Sequence, residues 1–108
     1  MVQIPANIID IIHHFVDEAE KEKIHIRQAI LFGSYATGNY HKYSDIDLAV
    51  ISDEFEGIRL LDNIKHDRPV LRSSYDLDTH PIRPEDFTED NPFVKEILKN
   101  GIRVVWLD

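Results

Sequence analysis

"LFGSYATGNYHKYSDIDLAV", residues 31–50, is the stretch whose reading decides the fold. An apolar run stops at Gly33-Ser34, and a second one opens with Asp45 and Asp47 before running on as Leu48, Ala49, Val50 and Ile51. The second run reads as a strand. Side chains alternate along a strand, so Asp45 and Asp47 share one face while Ile46 and Leu48 take the other and feed a core. Two carboxylates that close repel each other unless one is protonated or a cation lies between them. A divalent ion serves directly, and hard oxygen donors suit magnesium. A D-x-D pair alone is also what a solvated edge strand shows. The segment before it supplies the second half of the signal. Gly33 permits a tight turn and close backbone approach to a ligand. Ser34 and the residues after it can open a short helix, whose free N–H groups and hydroxyl would face a phosphate.

Outward from this stretch, "PANIIDIIHHFVDEAEKEK" has helical apolar spacing through Ile8, Ile9, Ile11, Ile12, Phe15, Val16 and Ala19. His13 and His14 are adjacent on it. Neighbouring helical positions diverge by about 100°, so the two read as surface residues and not as a ligand pair. "IHIRQAILFG" and "DIDLAVIS" are apolar strands, and their short connection makes them antiparallel neighbours. "EGIRLLDNIKHD" is a short amphipathic helix with Ile58, Leu61 and Ile64 on one side. "SSYDLDTHPI" alternates as a third strand, followed by a turn at Pro84. "NPFVKEILKNG" is a helix with Asn91 as N-cap, Pro92 at its first position and Gly101 as C-cap. "IRVVWL" is a last strand, anchored by Trp106. The expected fold is α/β: a small mixed sheet of about four strands, with helices packed mainly on one face.

The chain has 108 residues, expected to form a single domain over 1–108. Its net charge of −8 weighs against generic nucleic-acid binding, which needs a basic face. It leaves a nucleotide substrate open, because a divalent ion can supply the positive charge. There are no cysteines, which removes thiolate metal sites and thiol nucleophiles and fits a reducing, cytoplasmic setting. No apolar run is long enough to span a membrane, and no signal peptide is expected.

Gly33-Ser34, ten intervening residues and then Asp45-x-Asp47 resemble the G-S-x10-D-x-D signature of the polymerase-β-type nucleotidyltransferase superfamily. More narrowly, "GSYATG" followed by "SDIDL" is similar to the minimal nucleotidyltransferase (MNT) domains of prokaryotes, which often carry "GSYARG". One departure is visible: Thr37 stands where arginine is frequent, so a positive charge near the phosphates is missing. The resemblance implies a palm-like core that transfers a nucleoside monophosphate, AMP from ATP, to a hydroxyl. It implies Gly33 and Ser34 at the β- and γ-phosphates, and two Mg2+ ions held by Asp45, Asp47 and a third acid from a later strand. Strand alternation puts Asp76, Asp78 and His80 on one face. "RPEDF" after them resembles a family turn that favours Asp78, with Asp76 as the alternative. Asp78 would also take the acceptor's proton. His80 reads equally as a site residue and as a surface histidine. The family context further implies an antitoxin role, with a tyrosine of a HEPN-type toxin as acceptor. A second copy of this chain is another way to complete so small a site. The competing class is a binding module that keeps the fold and neutralises its partner by complex formation. A small-molecule acceptor is a third reading, weakened by the lack of a larger acceptor domain.

Overall fold

The computed structural model describes residues 4–41, 44–54 and 77–106. The segment read as a helix around Ile58, Leu61 and Ile64, the alternative acid Asp76 and the side chain of Trp106 lie outside the described part. The elements in chain order are α1 (Ala6–Lys21), β1 (Gln28–Phe32), α2 (Ser34–Thr37), β2 (Ile46–Ile51), β3 (Leu77–Ile82), a 3-10 turn at Pro84–Asp86, α3 (Pro92–Asn100) and β4 (Ile102–Trp106).

The strands form one mixed sheet in the order β3-β2-β1-β4. β1 pairs antiparallel with both β2 and β4, and β2 pairs parallel with β3. The antiparallel β1–β2 pair and the four-stranded mixed sheet are as the apolar runs predict. Alternation sorts the sheet into two faces. Ala29, Leu31, Ile46, Leu48, Val50 and Leu77 face the stripe of α1 made by Ile8, Ile12, Phe15, Val16 and Ala19, and Tyr35 of α2 joins this main core. Each of the valine, leucine, isoleucine and phenylalanine side chains among them stabilises the fold by about 1.5–3 kcal/mol through burial. This stripe holds α1 in place, since no side-chain hydrogen bond caps its start at Pro5.

The opposite face is divided. Ile30, Ala49, Ile51 and Ile82 meet Val94 and Ile97 of α3, forming a second, smaller core. Among the described residues, helical mass thus lies mainly on the α1 face, while α3 covers part of the other. The Asn91 side chain accepts a hydrogen bond from the Phe93 N–H at 2.9 Å, and Pro92 follows at the first helical position. This cap fixes where α3 starts, and so which part of the face it covers. The other end of the face carries the polar residues.

Candidate active site

Three strands deliver side chains to that uncovered end. Across the parallel β2–β3 pair Asp47 stands opposite Asp78, Ala49 opposite His80 and Ile51 opposite Ile82. Across β1–β2, Phe32 stands opposite Asp47. One stripe therefore runs from carboxylates to core: Asp47 and Asp78, then Ala49 and His80, then the isoleucines under α3. Gly33 follows Phe32 with φ 74°, a left-handed conformation that favours glycine. A Cβ there would collide with the Asp47 carboxylate, whose Cγ would lie 3.2 Å away. The glycine lets the main chain turn against that carboxylate.

Ser34 comes next, half-buried at the start of α2. Ala36 and Thr37 both donate their N–H to the Gly33 carbonyl at 3.1 Å. The Thr37 hydroxyl lies within hydrogen-bond reach of the Gly33 and Ser34 carbonyls, at 3.3 and 3.4 Å. Thr37, which stands where the sequence resemblance leads one to expect arginine, is here used to hold the turn.

The charges are arranged unevenly. His80 Nε2 lies 3.3 Å from Asp78 Oδ2 and 3.9 Å from Asp47 Oδ1. Ligand atoms of Asp47, Asp78 and His80 all fall within 4.8 Å of one another. Asp45 precedes β2 and is exposed. It lies outside this closest group, yet its charge still reaches Asp47. The Asp47 carboxyl is held above its ordinary value, first by burial, then by Asp78, with Asp45 adding to the rise and His80 opposing it. The structure thus brings Asp47, Asp78 and His80 together, with Gly33 against Asp47, and leaves Asp45 at the rim.

Whether a cation suits this group is decided by His80. Its Nε2 is buried and makes no hydrogen bond, although two carboxylates stand within 4 Å. A buried polar atom without a partner is costly. Two carboxylates and a ring nitrogen converging on one point form a donor set that a divalent ion satisfies. The residues fit a metal.

Aromatic groups surround the histidine. Phe32 meets the His80 ring edge-on at 5.1 Å between centroids, Phe93 tilts against it at 5.7 Å, and the two phenylalanines are 5.3 Å apart. A cavity of about 360 Å³ opens along β3, lined among others by Asp78, His80, Asn91 and Phe93. That is the size of a small-molecule site, about 300–1,000 Å³. Sequence reading passed over Phe32, Asn91 and Phe93 as site residues. Phe32 carried a signal, since it shares strand parity with Ile30 and directly precedes Gly33. Phe93 carried none, because only the tertiary placement of α3 brings it here.

Residues 10–105 match the family of the nucleotidyltransferase domain. No curated protein matches the chain. Among solved structures, a toxin–antitoxin with AMP-PNP superposes with a TM-score of 0.63 at 20% identity, over 93% of this chain and 73% of that one. A MntA–HpeT toxin–antitoxin mutant gives 0.62 at 18% identity, over 93% and 73%. A candidate nucleotidyltransferase from Sulfolobus solfataricus gives 0.58 at 18% identity, over 89% and 78%. At these identities the structural likeness concerns the fold.

Proposed function

We propose that this chain, which belongs to the nucleotidyltransferase domain family, transfers a nucleoside monophosphate from a nucleoside triphosphate, ATP, to a hydroxyl of a partner protein. The observation that carries the reading is the convergence of Asp47, Asp78 and His80 beside the Gly33-Ser34 turn, at the uncovered end of the sheet face. Asp45, Asp47 and Asp78 would hold Mg2+, two ions in the reading the signature implies. When bound, the metal neutralises the triphosphate and lowers the pKa of the attacking hydroxyl.

The remaining work belongs to the chain. Ser34 and the main chain at Gly33 would hold the β- and γ-phosphates, the part that leaves as pyrophosphate. The acceptor oxygen attacks the α-phosphorus, a new P–O bond forms, and the bond from the α-phosphorus to the bridging oxygen breaks. The hydroxyl proton passes to Asp78, which borders the cavity. Phe93 offers that cavity a ring face for a base or an acceptor side chain. Catalysis is then positioning and charge placement.

Two structural neighbours are toxin–antitoxin assemblies, one of them with AMP-PNP. They support an antitoxin role with a nucleotide and a toxin partner; the acceptor, a tyrosine of a HEPN-type toxin, is what the sequence resemblance implies. Incubation with ATP, Mg2+ and the HEPN-type partner, followed by intact mass measurement, tests this. Added AMP on the partner, absent with Asp47→Asn, is expected. A stable complex without modification would favour the second reading, neutralisation by binding. That reading draws on Thr37, whose hydroxyl serves the turn where an arginine would serve a phosphate.

A further inference from the structure

The geometry points to His80 as a metal ligand in its own right: its Nε2 joins Asp47 and Asp78 on one ion, and the nitrogen shifts that site's preference from magnesium toward cobalt(II) and zinc. This rests on the metal-dependent reading above and adds to it a residue and an ion preference.

The distances suit it. An ion about 2.1 Å from each donor holds cis ligands about 3 Å apart and trans ligands about 4.2 Å apart. His80 Nε2 stands at 3.3 and 3.9 Å from the nearest oxygens of Asp78 and Asp47. The nitrogen is buried and aimed between the two carboxylates, but donates a hydrogen bond to neither. A histidine present only to neutralise acids would be expected to close such a bond. The ring is also restrained. Phe32 and Phe93 contact it at 5.1 and 5.7 Å, and the residue opposite it on β2 is Ala49, buried and too small to crowd the ring. Magnesium favours oxygen donors and keeps much of its water, whereas imidazole suits the later first-row ions.

The test compares wild type with His80→Phe, which keeps an aromatic ring between Phe32 and Phe93, and with His80→Gln. Binding of Co2+ and of Mg2+ is measured by calorimetry, with the visible spectrum of bound Co2+ alongside. Loss of Co2+ affinity by at least about tenfold, with Mg2+ changed by less than about threefold, is expected; loss of a supporting partner alone costs about 10–100-fold. Equal losses for both ions would mean that His80 only positions the carboxylates, and unchanged Co2+ affinity would remove it from the site; either result overturns the proposal. A reading on unaltered protein covers the case of variants that do not fold: Zn2+ must move the ¹⁵N resonance of His80 Nε2, and an unmoved resonance also overturns it. AMP transfer by wild type is followed on the same samples. Transfer without cobalt selectivity sinks only the ligand assignment, whereas nitrogen ligation without transfer sinks only the enzymatic reading.

Discussion

Asp47 is the residue on which the site's electrostatics converge. Burial, Asp78 and Asp45 hold its carboxyl above 3.8, the ordinary value, while His80 opposes them. The sign follows from linkage. A group whose pKa is raised by folding contributes stability that is complete below 3.8 and lost as pH rises through the higher folded value. At neutral pH the metal-free chain therefore carries a destabilising charge at Asp47. The side chain is 27% exposed, so solvent softens the effect. Asp47→Asn is expected to melt above wild type in a chelator at pH 7, and the gap should close as pH falls below 3.8. Adding Mg2+ should raise the wild-type melting temperature and leave the variant unmoved. Calorimetry at the two pH values, with and without metal, checks this; a variant that melts lower in chelator at pH 7 contradicts it. A second prediction separates the third acid. Asp78 stands opposite Asp47 across β2–β3 and lines the cavity. Asp78→Asn should lower AMP transfer by about 100-fold or more, the scale of a lost acid–base group, while Asp76→Asn should stay near wild type. Equal losses would remove Asp78 from its role. At this scale the sequence is legible where parity rules: the facing of Asp47 away from Ile46 and Leu48 follows from alternation alone. Asp45 obeys the same parity but falls just outside β2, where exposure sets its place.

Elements show where local rules stop. The periodicity of α3 announces a buried side, Val94 and Ile97, but cannot say which face of the sheet receives it. That choice closes part of the face that a strand-by-strand reading leaves open, and it delivers Phe93 to His80. The packing of α3 is a long-range fact, absent from any window of sequence. The turn at α2 is the opposite case. Gly33 and Gly38 both take positive φ, and the Thr37 hydroxyl reaches back to the turn's carbonyls. Thr37 is exposed, so a longer side chain meets no wall. Thr37→Arg should therefore tighten Mg2+–AMP-PNP binding by about tenfold, the return on one charge-assisted contact of about 1.5 kcal/mol. Calorimetric titration reads this directly, and unchanged or weaker binding would show that the turn does not face the phosphates. The end of α1 offers a stability test remote from the site. Lys23 holds φ 64° after the helix, and the Ile24 N–H returns to the Ala19 carbonyl at 2.9 Å. Glycine suits that left-handed position better. Lys23→Gly should stabilise the chain by about 0.5–1 kcal/mol, seen as a higher denaturation midpoint at unchanged slope.

For the molecule as a whole, charge decides the order of events. The chain carries −8, and acids crowd the end of the sheet where the triphosphate is proposed to bind. A nucleotide approaching without a cation meets net repulsion, which salt screens within about 10 Å at 0.1 M. Main-chain N–H groups at one short turn and a serine hydroxyl are neutral donors and do not cancel it. Metal should therefore be needed for nucleotide to bind at all, beyond any part it plays in the chemical step. AMP-PNP with Mg2+ at about 100 times its Kd should stabilise the fold by about 2.7 kcal/mol, a rise of roughly 10 °C in melting temperature for a chain of this size. AMP-PNP in chelator should give almost no shift at low salt. A cationic patch elsewhere on the fold would give a different pattern: binding without metal that weakens steadily as salt rises. Thermal melts at two salt concentrations, with and without Mg2+, distinguish the two. A full metal-free shift that fades with salt would move the nucleotide away from Asp47 and Asp78, and with it the proposed place of the reaction.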